Sequence, residues 1–135
     1  MKLTTRSEYA LLALIYLARK APESDAFTPV DVIATAQNIP PKFLEQILLT
    51  LKRGHFLTSQ KGQRGGYRLA KSPTEITLAE IVRLLDGPLA PTESVSKYFY
   101  RATPVEKEEN LLKVLAHIRD VILDIMEKTT LAEIS

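Results

Sequence analysis

The chain of 135 residues has no cysteine, no tryptophan, only two histidines and no long apolar run. Without cysteine, a disulfide scaffold, a thiolate metal site, a cysteine nucleophile and a thiol redox switch are all excluded. The longest apolar stretch, residues 9–18, falls well short of the ~20 residues that span a bilayer. The residues after Lys2 are polar, unlike a secretory signal, so a cytoplasmic protein without a membrane partner is expected. His55 and His117 lie far apart, with no cluster of His, Asp or Glu near either, so no metal ligand set is expected. No nucleophile–base pair is recognisable, which argues against an enzyme. At 45% hydrophobic and 25% charged, the composition is that of a folded globular domain rather than a disordered chain.

Acidic residues are scarce in one place only. Residues 1–71 carry eleven Lys and Arg against five Asp and Glu, a formal +6, whereas residues 72–135 carry seven against eleven, a formal −4. Residues 46–74 contain no acid at all, yet hold Lys52, Arg53, Lys61, Arg64, Arg68 and Lys71. The net charge of +2 therefore conceals a split, which points either to a polyanion-binding half beside a half with another task or to a merely solvated basic face.

Helix starts are marked by capping chemistry. Thr5-Arg6-Ser7-Glu8 reads as a capping box, leading into a first helix that is apolar on nearly every face through Lys20 and so expected to be central. Thr28-Pro29-Val30-Asp31 reads as N-cap, proline at the first helical position and an acid in the first turn. Pro40-Pro41 opens a third helix, in which Phe43, Leu44, Ile47, Leu48 and Leu51 recur at helical spacing up to Gly54. The period then shortens. Residues 56–60 and 67–70 are strand-like, joined by the glycine-rich, doubly basic Lys61-Gly62-Gln63-Arg64-Gly65-Gly66. Thr77-Leu78-Ala79-Glu80 is another capping box, opening a fourth helix that stops at Gly87-Pro88.

Thr103-Pro104-Val105-Glu106 is expected to cap a last helix over residues 104–128, about 37 Å long. Leu111, Leu115, Ile118, Ile122 and Ile125 alternate spacings of four and three, as in a helix-pairing seam. So long and apolar a helix is expected to stand clear of the small domain and to bury its stripe against a second copy of itself. Packing back onto its own domain is the alternative. The organisation expected is residues 1–87 as a basic domain that includes the fourth helix, 88–103 as a linker and candidate effector region, and 104–135 as a dimerisation helix with its tail.

The order helix, helix–turn–helix, strand, basic glycine-rich loop, strand is that of a winged helix-turn-helix in a mainly α chain with one small β-hairpin. Its third helix would enter the major groove, where each base pair shows a distinct donor and acceptor pattern. Lys42, Glu45 and Gln46 are its early exposed positions. A carboxylate there is repelled by phosphate unless it accepts from a cytosine amino group, so Glu45 is either a base reader or a solvated helix residue. Lys61 and Arg64 flank a hairpin tip that glycine lets approach DNA closely. The tip matches no nucleotide-binding fingerprint.

Met1-Lys2-Leu3-Thr4-Thr5-Arg6 with Tyr9-Ala10, Phe43-Leu44-Glu45-Gln46-Ile47-Leu48, Gly62-Gln63-Arg64-Gly65-Gly66-Tyr67 and Asp86-Gly87-Pro88 together resemble the Rrf-two family of bacterial winged-helix transcriptional regulators. The likeness runs along essentially the whole chain. It implies a homodimer, paired by its C-terminal helices, on a palindromic promoter site in double-stranded DNA. It also implies Glu45 as a base reader, Lys42 and Phe43 as contacts at the start of the recognition helix, and Thr28 as a phosphate contact. Lys61 stands where relatives often carry an arginine for the minor groove; lysine keeps the charge but loses the planar fork. With Arg6, Tyr9, Gln46, Lys52, Arg53, Gly62, Gln63 and Arg64, these form the expected DNA-contacting set.

The chain departs from the cluster-binding members, which place three cysteines between the fourth and the last helix. Here that stretch has none, so no iron–sulfur cluster and no other cofactor is expected; Glu8, an extra ligand in some relatives, is explained by helix capping. The segment is closer to cysteine-free members that respond to a small molecule or a partner protein. Tyr98, Phe99 and Tyr100 either line an effector pocket or pack the linker against the long helix. A sequence-specific repressor is the expected function, with a protein-interaction adaptor that has lost DNA recognition, or a sensor with a non-thiolate cluster, as alternatives.

Overall fold

Thr4, rather than Thr5, caps the first helix. In the computed structural model, which describes residues 1–135, the Thr4 hydroxyl accepts from the Ser7 N–H at 3.2 Å, and α1 runs Thr5–Lys20. The expected capping box is displaced because its carboxylate comes from far along the chain. Asp86 accepts from the Thr4 N–H at 3.1 Å and also from the Thr4 hydroxyl, the part assigned to Glu8. Ala10, Leu14 and Leu17, at helical spacing, are buried, while Leu12 is exposed, so α1 is central but open on one side.

α2 spans Val30–Gln37 and α3 spans Pro41–Arg53. Thr28 does not cap α2; Pro29 holds that position. Thr28 instead exchanges both backbone hydrogen bonds with Tyr67, each 2.8 Å, and so extends the hairpin by one residue. Asn38, in left-handed backbone at φ 55°, closes α2 and turns the chain into α3. Leu44, Ile47, Leu48 and Leu51 of α3 join Leu14, Leu17 and Ile33 in the main core. Burying each such side chain contributes about 2 kcal/mol.

β1 (Leu57–Gln60) and β2 (Gly66–Leu69) pair antiparallel, with Leu57 opposite Leu69 and Gln60 opposite Gly66. Gly66 holds a φ of 138°, and a Cβ there would overlap the Thr28 carbonyl, so only glycine lets the hairpin meet the residue before α2. α4 (Leu78–Asp86) opens with the expected Thr77–Glu80 capping box.

The last helix is shorter than its sequence implies. Pro104–Lys107 forms a 3₁₀ turn, Glu108 is extended, and α5 covers Glu109–Lys128, about 30 Å. The expected cap fails because its groups are engaged elsewhere. The Thr103 hydroxyl donates to Ser94 at 2.8 Å, and the Glu106 carboxylate accepts from the Tyr100 hydroxyl.

Nor does α5 stand clear of the domain. Leu123 is buried with Ala79, Val82 and Leu89, and Ile122 and Met126 pack on that cluster. Beyond the helix, Leu131 enters the main core and its N–H donates to the Ile76 carbonyl at 2.8 Å. The seam read from the sequence therefore straddles two rows. Leu115 and Ile122 lie half-buried, whereas Leu111, Ile118 and Ile125 are exposed in line with Val114 and Val121. This outer row has spacings of three and four throughout and lies between 41 and 59% exposed.

Candidate nucleic-acid interface

Burying Leu44, Ile47, Leu48 and Leu51 leaves the opposite face of α3 to Lys42, Glu45, Gln46, Leu49, Lys52 and Arg53, all exposed. The hairpin brings Lys61, Gly62, Gln63 and Arg64, also exposed, to the loop between β1 and β2. Between α3 and this loop opens a cleft of about 400 Å³, whose lining includes Leu49, Lys52, Gln60, Lys61, Gly62 and Tyr67. Leu49 and Gln60 were not among the residues singled out from the sequence. Leu49 falls at i+3 and i+4 from Gln46 and Glu45, off the apolar stripe, and its 42% exposure agrees with that spacing.

The basic stretch divides into held and free charges. Arg68 donates to the Asp25 carbonyl at 2.8 Å and lies over the Phe27 ring at 4.4 Å. Lys71 lies 3.8 Å from Glu80 and over the Phe56 ring at 4.8 Å. These two anchor loops to the domain. Arg6, Lys42, Lys52, Arg53, Lys61 and Arg64 have no carboxylate within 4.0 Å. Such unpaired cations on one domain face raise the local positive potential, which falls off over about 8–10 Å at physiological salt.

The remaining sequence-selected residues serve partly as supports. Tyr9 and Phe43 meet edge to face, ring centres 5.6 Å apart at 80°, locking the start of α3 to α1. Arg6 reaches the Thr50 hydroxyl of α3 at 3.5 Å. Thr28 is only 5% exposed and both of its backbone groups are used by Tyr67, which leaves its hydroxyl as the group a phosphate could meet. Glu45 lies near enough to Tyr67 to be felt electrostatically: burial, and then the Glu45 charge, push the Tyr67 phenol above its ordinary range. The one acid of α3 thus lies within electrostatic reach of the hairpin.

The linker aromatics stay exposed. Tyr98 covers the Arg83 guanidinium at 4.7 Å, and Arg83 meets Glu127 of α5 at 3.4 Å. Neither Tyr98, Phe99 nor Tyr100 lines the cavity that opens beside this segment, which is walled instead by residues before and after them.

A family model described as "Rrf2: Iron-dependent Transcriptional regulator" matches residues 3–135. The chain is 36% identical over 136 residues to Rv1287 of Mycobacterium tuberculosis, named as a candidate HTH-type transcriptional regulator, covering 100% of this chain and 81% of that protein. It is 30% identical over 135 residues to the HTH-type transcriptional regulator CymR of Bacillus subtilis, covering 100% of this chain and 90% of that one. The solved structure of CymR, described as the global cysteine regulator of B. subtilis, matches with a TM-score of 0.83 at 29% identity over 99% of this chain and 95% of that one. That of T. potens IscR matches with a TM-score of 0.69 at 27% identity over 99% and 85%.

The family description names iron, but the donor set of this chain does not fit an iron site. There are no thiolates, and no three His, Asp or Glu side chains converge anywhere in the fold. Iron–sulfur clusters are held by thiolates, and ferrous sites by clustered imidazoles and carboxylates.

Proposed function

Since the chain belongs to the Rrf2 family of DNA-binding transcriptional regulators, we propose that it acts as a homodimeric repressor on a palindromic promoter site. The family's members are regulators, not enzymes. The observation that carries this reading is the grouping of free cations, Lys42, Lys52, Arg53, Lys61 and Arg64, on α3 and the hairpin beside one carboxylate, Glu45. In this reading α3 lies in the major groove. Glu45 accepts from a cytosine amino group, while Lys42 and Gln46 reach neighbouring base edges or phosphates. Lys61 and Arg64 follow the adjacent backbone or minor groove. The outer row of α5 pairs with its copy and sets the half-site spacing, because a two-fold dimer reads a two-fold site. Repression follows from occupying the promoter. An adaptor that had lost DNA recognition would have no use for so many unpaired cations.

The test is the salt dependence of duplex binding by fluorescence anisotropy. Changing Lys61 and Arg64 together to Ala removes up to four phosphate contacts per dimer, so the log–log slope should flatten by about 3–4. An unchanged slope would sink the assignment of the hairpin. Glu45→Ala should relax preference at one base pair per half-site by about 1–3 kcal/mol, measured on operator variants.

A further inference from the structure

A cavity of about 530 Å³ opens where the start of the chain, the C-terminal end of α4 and the linker meet. That volume is typical of small-molecule sites. Its wall carries both signs of charge, Lys2 and Arg101 against Asp86 and Glu93, beside apolar Val82 and Pro91. Arg101 and Glu93 pair at 3.5 Å. Lys2 has no carboxylate within 4.0 Å. Asp86 stays ionised: burial alone would raise its pKa, but hydrogen bonds from Thr4, the nearby Ser7 hydroxyl and the Arg6 charge together hold it below the usual carboxylate range.

We propose that this cavity binds a free α-amino acid, its carboxylate on Lys2 and its ammonium on Asp86, with the side chain toward Val82 and Pro91. The mixed wall disfavours simpler ligands. A plain anion would meet Asp86 and Glu93, and a plain amine would meet Lys2 and Arg101, each leaving like charges facing one another. A zwitterion pairs with both.

The position suits an effector, and the regulatory part of the inference rests on the DNA-binding reading above. Asp86 holds Thr4, the cap of α1; two residues on, Arg6 reaches Thr50 of α3. Pro91 also lines the apolar groove formed with Ile118, Ile122 and Ile125 of α5. A ligand on Asp86 and Pro91 therefore touches supports of both the reading helix and the pairing helix. Linkage requires that it alter DNA affinity by the factor by which DNA alters its own.

The experiment is isothermal titration calorimetry of the full chain with each proteinogenic amino acid at millimolar concentration. Any binder is then compared with its decarboxylated amine and its N-acetyl derivative. At least one amino acid should bind, each derivative should bind about 10- to 100-fold more weakly, and Lys2→Ala should cost a similar factor. Absence of binding by every amino acid overturns the proposal, as does equal binding of the amine or the N-acetyl form, or indifference to Lys2→Ala. Binding of the same preparation to duplex DNA at low salt is measured separately, so failure of the amino-acid site and failure of the DNA-binding reading are told apart.

Discussion

Ile118→Asp puts the free row of α5 to its most direct test. Leu111, Val114, Ile118, Val121 and Ile125 are each about half exposed. Full burial of such a side chain is worth about 1.5–3 kcal/mol, so covering the exposed half yields about 1 kcal/mol apiece. Ten side chains in a symmetric pair give about 10 kcal/mol gross. Association itself costs an estimated 4–15 kcal/mol in lost freedom. The row is thus of a size at which one bad residue decides the outcome. Ile118 is the middle of the row, so in an antiparallel two-fold contact it meets its own copy. Aspartate there forfeits about 2 kcal/mol of burial and adds about 2–4 kcal/mol for two desolvated, mutually repelling carboxylates. The dissociation constant should rise by about 1,000-fold or more. Sedimentation velocity over a concentration series measures it. The thermal midpoint and far-UV circular dichroism should show a folded monomer, since Ile118 is exposed within its own chain. A variant that dimerises as the parent does, or a parent that is monomeric throughout, refutes the reasoning.

Other expectations follow from the same geometry. Gly66→Ala should cost at least about 3 kcal/mol in urea unfolding, because a Cβ overlaps the Thr28 carbonyl and φ is 138°. Gly62→Ala, in open space at φ 103°, should cost only about 1 kcal/mol. Glu45→Gln should lower the Tyr67 pKa toward its ordinary value in an absorbance titration, though burial, the larger cause, keeps it raised. Asp86→Asn weakens the cap on α1 and should cost about 1 kcal/mol at neutral pH. Because the Asp86 pKa is depressed on folding, its contribution is complete above about pH 4 and is lost as pH falls through the lower folded value. The difference between parent and variant should therefore shrink as pH falls below about 4, as read from urea melts over a series of pH values from about 7 into acid.

Much of the fold was legible because its signals are local. The Thr77–Glu80 box, the Pro40-Pro41 helix start and the glycine-rich turn act within a few residues, and each element forms where its spacing predicts. The basic stretch was equally plain as charge. Its division was not: Arg68 and Lys71 are held by Asp25, Phe27, Glu80 and Phe56, contacts that no spacing rule reveals. The linker was ambiguous for a related reason. Its aromatics read equally as pocket lining or as packing, and the cavity beside them is walled by charged and small residues drawn from three separate segments.

By itself, then, the sequence determined a winged helix-turn-helix with a basic half, an amphipathic last helix, and the absence of thiolate chemistry, since periodicity, capping and composition depend on near neighbours. Tertiary structure decided which helix groups were already taken. Asp86, 82 positions from Thr4, caps α1 in place of Glu8. Tyr100 and Ser94 take the groups meant to extend α5. Packing against α4 consumes one row of α5 and leaves its neighbour free. The physical reason is common to all three: long-range neighbours compete for groups that local spacing assigns to near ones, and which neighbour is within reach is known only once the chain has folded.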